Sequence, residues 1–301
     1  MKALASFIMQ GGRQATIVVA TMAILSLLMP PLVIISVAAV CLVTLRNGFV
    51  DGLRVLIGST VATALIGYMV LGTSIVSFSY LFLMWLPVFI VSLVLRETGQ
   101  LNKALECLVV LGMVAVVAVY VSIDDPAQLW AVGIQDAMAA LSKQQPLPIT
   151  QDELQAGLEI WSHYITGFVV AGTLMSLLMG LLLGRWWQGL LFNAGGFDSE
   201  FQQFRLLPRD GLVFIVLMSM AALLDGMLAE LIWNLDIQLL LLFLIVGVSV
   251  VHVVIKNKGS RYLLFAFYLM VFFVPHLIVP LILIGLSDVW MNWRQRFITK
   301  T

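Results

Sequence analysis

Charge is what this sequence has least of. Only 11% of its 301 residues are Asp, Glu, Lys or Arg, while 61% are hydrophobic; a soluble domain carries about 25% charged residues. So thin a polar coat cannot cover a water-facing surface, which excludes a soluble globular enzyme and equally a disordered or fibrous chain. Basic and acidic residues balance at 16 each, so no excess positive field exists to attract nucleic acid. Cysteine is nearly absent: Cys41 and Cys107 both sit in apolar runs, too few for a disulfide or zinc framework. The 3 histidines are not spaced as metal ligands. No Gly-Lys-Ser/Thr phosphate loop, nucleophile elbow or zincin signature occurs. The expectation is a non-enzymatic chain with no catalytic residue, cofactor or metal.

What the sequence does hold is long apolar stretches. A membrane helix needs about 20 apolar residues to cross roughly 30 Å of hydrocarbon. No charge falls between Arg13 and Arg46, and Pro30-Pro31 divides that stretch into two short crossings, 15–29 and 32–45. No charge falls between Arg54 and Arg96, and a Gly-Thr-Ser turn at 72–74 divides it into 55–71 and 77–95. Further crossings are expected over 105–123, 164–183, 211–232 and 238–255. A last one, 263–286, is interrupted by Pro275 and Pro280. The fold class is therefore an all-α polytopic transmembrane helix bundle of about nine spans, with eight to ten as the range.

Orientation follows Lys and Arg in the connecting loops. Lys2, Arg13, Arg46, Arg54, Arg96 and Lys103 fall on one side, joined by Arg185, Arg205, Arg209, Lys256, Lys258 and Arg261. The connection 124–163 falls on the other, with Lys143 alone against Asp124, Asp125, Asp136, Asp152, Glu153 and Glu159. That contrast predicts a multi-pass protein of a bacterial cytoplasmic (inner) membrane with its N-terminus in the cytoplasm. Nine crossings place Arg294, Arg296 and Lys300 outside, against the same rule, unless the chain folds back at Pro275–Pro280. The first apolar stretch continues to Leu45 without a cleavage site, so it reads as a retained anchor.

Three segments follow in this map: 1–184, a six-helix unit with the outer connection 124–163; 185–210, a cytoplasmic interfacial loop; and 211–301, the C-terminal helices and tail. In the outer connection, Trp130, Ile134, Met138 and Leu141 recur at helical spacing, in a helix ending before Pro146 and Pro148. Thr150 and Glu153 form a capping box, after which Leu154, Leu158 and Trp161 run an apolar stripe into the sixth span. This connection reads as a surface-lying connector or as a lid over a binding cavity. In the loop 185–210, Arg185-Trp186-Trp187 reads as an interfacial anchor. Phe197, Phe201 and Phe204 make an aromatic face with Arg205 and Arg209 behind it. That face is either a support against the membrane or a docking surface for a partner.

Ionisable residues at membrane depth are the first place to look for function. Asp225 and Glu230 fall in the second half of the seventh span, about 140° apart on a helix, and Asp236 follows. Asp225 is the deeper, lining a polar cavity or else solvated at the interface along with Glu230. His252 lies near the end of the eighth span. His276 stands beside Pro275, where a broken helix frees carbonyls for a substrate or ion; a packed core histidine is the plainer alternative for both. Gly180 and Gly184 match the small-xxx-small packing pattern.

The opening Pro-broken hairpin, the Leu45-Arg46-Asn47-Gly48 turn with Gly52 and Arg54, the Gly195-Gly196-Phe197…Glu200-Phe201…Arg205 loop and the closing Gly285-Leu286-Ser287-Asp288-Val289-Trp290…Arg294 together resemble the YybS-like family of bacterial membrane proteins. That resemblance covers most of the chain and implies no activity. The first six helices are more distantly similar to the substrate-binding S components of energy-coupling-factor transporters, although the first helix offers Ala15, Ala20 and Ala23 rather than an Ala-xxx-Ala pair. The leading expectation is a transporter-like component that binds or passes a small molecule, contacting membrane lipids and a small-molecule ligand or membrane-protein partner. The alternative is a cell-envelope scaffold. An intramembrane enzyme on lipid-linked substrates is a third reading, for which no converging set of acids and bases can be assembled.

Overall fold

The computed structural model describes residues 1–142, 150–257, 259 and 261–298, and every secondary-structure element among them is helical. Lys143, Pro146, Pro148, Lys258 and Lys300 lie outside the described residues. The helices are α1 (Lys2–Ile8), α2 (Gly12–Leu25), α3 (Val33–Asn47), α4 (Phe49–Leu71) and α5 (Ile75–Tyr80). Then come α6 (Leu86–Thr98), α7 (Leu101–Ser122), α8 (Pro126–Ser142), α9 (Gln151–Phe192) and α10 (Gly196–Gln203). The chain continues as α11 (Pro208–Leu223), α12 (Gly226–Asn257), α13 (Arg261–Phe273), α14 (Ile278–Met291) and α15 (Trp293–Ile298).

Six helical stretches are long and apolar enough to cross a membrane: Pro30–Asn47, Phe49–Val70, Ile75–Thr98, Leu101–Ser122, Gln155–Phe192 and Gly226–Asn257. Two bent pairs, α10 with α11 and α13 with the stretch Pro275–Met291 (105°), raise the number to eight if each is one span. The remaining expected crossing falls on α2, at 14 residues a shorter apolar helix. Three boundaries differ from expectation. The turn after the seventh span lies at Leu224–Asp225, not after Ile232, so α12 is one 32-residue helix. The sixth span runs on to Phe192, well past residue 185. Of the two late prolines only Pro275 breaks the helix; Pro280 sits in the first turn of α14, where its missing N–H removes no helical bond.

The chain forms two compact units, each drawn from separated stretches. One comprises residues 1–109, 173–206 and 242–301; the other comprises 110–172 and 207–241.

In the first unit α3 is the centre. Every residue from Ser36 to Leu45 is buried, because α2, α4 and α6 pack around it, and a helix apolar on all sides belongs inside a bundle. Polar pairs tie its neighbours to it: Ser36 donates to the Val19 carbonyl at 2.8 Å, and the Trp85 indole N–H donates to Ser36 at 3.0 Å. Trp85 ends a π-helical stretch, Leu81–Trp85, just ahead of Pro87, which has no N–H to continue the α-ladder. Gly180 and Gly184 meet α3 as the small-residue pattern predicts. A Cβ on Gly184 would stand 2.8 Å from Cys41 Sγ, and one on Gly180 would overlap Val37.

The α3–α4 turn is closed from outside. Arg96 donates to the carbonyls of Leu45 at 2.7 Å and Arg46 at 2.8 Å, where the helix macrodipole is negative and carbonyls lack helical partners. Arg96→Ala is expected to lower stability by about 1 kcal/mol, with partial recovery in Arg96→Lys, read as the detergent-solubilised melting temperature.

In the second unit the stripe of α8 turns inward over Trp130, Ile134 and Met138, which are half-buried, while Leu141 at its end is exposed. The Trp130 indole donates to Thr166 on α9 at 2.9 Å. The capping box is formed: Thr150 donates to Glu153 from its amide at 2.8 Å, and Glu153 N–H donates back at 3.2 Å. These bonds hold the Glu153 carboxyl below the usual glutamate range. The cap therefore contributes above the ordinary glutamate pKa and is lost as pH falls through the lowered folded value.

Candidate functional site

Within the second unit, α12 carries Glu230, Asn234 and Gln238 at i, i+4 and i+8, one polar line down a mostly apolar helix. At 1.5 Å per residue the line descends about 12 Å. Glu230 is the hub at its upper end. The Tyr120 hydroxyl of α7 donates to Glu230 Oε1 at 2.5 Å, and His163 Nδ1 of α9 lies 2.6 Å from Oε2. The Glu230 side chain is 14% exposed and that of His163 51%.

Asn234, one turn below and fully buried, joins the three helices. Its Oδ1 accepts the Gly167 N–H at 2.5 Å. Its Nδ2 reaches the His163 carbonyl at 2.7 Å, the Glu230 carbonyl at 2.8 Å and the Tyr120 hydroxyl at 3.0 Å. Another turn down, Gln238 donates to the Gly167 carbonyl at 2.9 Å, while its buried Oε1 has no hydrogen-bond partner. Gly167 permits the approach, since a Cβ there would come within 2.8 Å of both Asn234 Oδ1 and Ile237 Cδ1.

Above this network opens a cavity of about 520 Å³. Asp124, Asp125, Glu159, His163, Tyr164, Glu230 and Trp233 are among its lining residues. Four carboxylates face it, and His163 is the one basic side chain on its walls among the described residues. Asp125 also accepts the Gln128 N–H at 2.8 Å, capping α8, so part of the rim is fixed by helix geometry.

Of the expected polar residues, only Glu230 belongs here. Asp225 is not inside a span: it sits exposed in the break between α11 and α12, where Leu224 leaves helical geometry and Gly226 takes a positive φ of 68°. His252 belongs to the first unit as a packed residue, its Nδ1 2.8 Å from the Tyr268 hydroxyl and its ring edge-on to Phe201 at 5.7 Å. His276 lies exposed in the 3-10 turn Pro275–Leu277. Asp236 is buried with neither carboxylate oxygen hydrogen-bonded.

The aromatic face of the expected docking loop is also turned inward. Phe201 and Phe204 are 9% and 3% exposed, and half-buried Phe197 stacks on Phe201 at 6.0 Å. Ser249 holds α10 through the Phe201 carbonyl at 2.6 Å, and buried Arg294 does so through the Gln202 carbonyl at 2.8 Å. Arg205 reaches the Val289 carbonyl at 3.4 Å. Phe201 and Phe204 thus pack inside the unit, and half-buried Phe197 is the part of this face that stays partly open. The anchor differs likewise: Trp187 is fully buried, and Arg185 pairs with Glu200 through its Nε at 2.9 Å, because α9 continues through both residues.

The break at Pro30 does line a cavity, in the first unit. It measures about 440 Å³, with Ser26, Ser79 and Tyr80 among largely apolar walls. Ser26 and Tyr80 satisfy each other at 2.6 Å, which leaves this cavity fewer converging polar groups than the one over Glu230.

The long apolar helices and the buried polar line define a multi-pass helical membrane protein. Compared with protein-family models, curated proteins and solved structures, the chain matches none.

Proposed function

We propose that the protein is a non-enzymatic, transporter-like membrane component that binds a small polar solute in the acid-walled cavity of its second unit and holds it or passes it on. The observation that carries this reading is Glu230, a mostly buried carboxylate of α12 gripped by side chains from two neighbouring helices, Tyr120 of α7 and His163 of α9, at the floor of an open cavity. Buried ionisable groups in membrane helices are costly and mark solute or ion pathways. The basic N-terminal loops and the acidic connection 124–163 support a cytoplasmic N-terminus and a bacterial inner membrane. In that orientation the cavity, at the junction of α7 and α8, opens to the outer side. The more distant likeness of the first six helices to transporter S components agrees with this reading, while the resemblance to the YybS-like family implies no activity.

Native mass spectrometry of the full-length protein from lipid nanodiscs tests it. Wild type and Asp225→Asn are expected to carry the same co-purifying small molecule, and Glu230→Gln to lose at least nine-tenths of it. Equal occupancy in all three, or none in the wild type, would refute a solute site at Glu230.

A further inference from the structure

We propose that the His163–Glu230 pair is a proton-exchange site loaded from the cavity, and that a proton is the ion coupled to the solute bound there. The coupling rests on the solute-binding reading above; the exchange site does not.

The geometry assigns each member a distinct part. His163 is half exposed and borders the cavity, so its ring meets solvent, while its Nδ1 stands 2.6 Å from the mostly buried Glu230 Oε2. A doubly protonated ring donates Nδ1–H to the carboxylate. Transfer of that proton to Oε2 leaves a neutral imidazole and a carboxylic acid and breaks no other bond. Tyr120 keeps donating to Oε1 throughout. Uptake of one proton from the cavity thus takes the pair from a net charge of minus one to zero, a change that matters most where water is scarce.

The other groups around Glu230 set direction. Asp124 and Asp125 follow α7, Glu159 and Tyr164 stand on α9, and together they give the cavity a negative potential that gathers protons and other cations. Below Glu230 the line changes character. Asn234 and Gln238 are amides whose hydrogen bonds lock them to α9, and an amide neither gains nor gives up a proton in this range. A proton entering at His163 therefore stops at Glu230. The arrangement is a site with one mouth rather than a wire across the membrane, as a coupled step requires.

The test is infrared difference spectroscopy on the full chain in phosphatidylcholine vesicles, recorded as the buffer is taken from alkaline to acid. The wild type is expected to gain a carboxylic-acid C=O band together with imidazole changes. Glu230→Gln removes the band. Tyr120→Phe displaces it, because Oε1 loses its donor. Asp124→Asn, Asp125→Asn and Glu159→Gln retain it. His163→Gln loses the imidazole changes and displaces the band as Oε2 loses its partner. Circular dichroism confirms that each variant folds, and Tyr120→Phe probes the site without altering its charge. A band that survives Glu230→Gln, or one indifferent to both Tyr120→Phe and His163→Gln, overturns the exchange site. Absence of a co-purifying solute overturns the coupling alone.

Discussion

Gly285→Ala is expected to cost at least about 3 kcal/mol, at the upper end of what overpacking a core does, and to abolish recovery of monodisperse protein from detergent. A Cβ on Gly285 would overlap the Phe243 carbonyl and lie 2.8 Å from the Gly247 nitrogen. A Cβ on Gly247 would overlap the Leu281 carbonyl in return. The obstacles are main-chain atoms of α12 and α14, so no rotamer change relieves them and the helices must part. Parting them strips contacts from Phe243, Val246 and Leu281, all buried, and disturbs the end of α14. There Asp288 accepts the Trp293 N–H at 2.8 Å and lies 3.8 Å from Arg294. Because the two glycines face one crossing, the double substitution should cost clearly less than the sum of the singles. Gly133→Ala gives the contrast: it lies within α8 with nothing near its added methyl, so it should stabilise by about 0.5–1 kcal/mol. Thermal unfolding of the four variants beside the wild type decides the matter, and a Gly285→Ala variant that melts with the wild type would show the crossing to be loose.

The same comparison shows what the sequence could disclose. Gly180 and Gly184 announce a close helix contact because they are neighbours on one helix face. Gly247 and Gly285 are single glycines in different helices, and nothing in either neighbourhood says that they meet. Apolar length read out the straight spans, and Pro275 and Gly72 marked real interruptions, since proline removes a helical N–H and glycine alone turns easily into the left-handed conformation that ends α4. Boundaries failed where apolar composition continued through a turn, as at Leu224–Asp225, or where charge continued through a helix, as at Arg185. The site was half visible. Glu230 stood out by its charge, but Asp225 looked the deeper because the break ahead of Gly226 was missed. His163 was hidden in the acidic connection, and Tyr120 came from a span with no other signal. Asn234 and Gln238 carry no charge, so they do not stand out at membrane depth as Glu230 does. The spacing Glu230-xxx-Asn234-xxx-Gln238 in an apolar stretch was the legible trace, since polar residues one turn apart must face the same neighbour.

Asn234 should prove the most demanding position of that neighbour contact, and the rank order of its substitutions is the sharpest check on the site. Its amide offers both kinds of group: Oδ1 accepts from Gly167, while Nδ2 donates toward three oxygens. Interhelical hydrogen bonds in membranes average about 0.6 kcal/mol each and reach about 1.7. Asn234→Ala, which removes them all and leaves Gly167 N–H without its side-chain acceptor, is therefore expected to cost about 2–3 kcal/mol. Asn234→Asp keeps nearly the same shape and still accepts from Gly167, yet it should be worse than alanine. The donor is replaced by a charged oxygen facing the His163 and Glu230 carbonyls, one turn from the Glu230 carboxylate, and a buried charge that keeps only the Gly167 N–H as donor costs more than a lost bond. Acid offers a rescue that alanine cannot have. A proton on the new carboxyl restores one donor and removes the charge, so the melting temperature of Asn234→Asp should rise relative to wild type as pH is lowered, while that of Asn234→Ala should track the wild type. If Asn234→Asp is instead as stable as wild type at neutral pH, the amide is not donating into this cluster, and Tyr120 and Glu230 must be held in place by something other than Asn234.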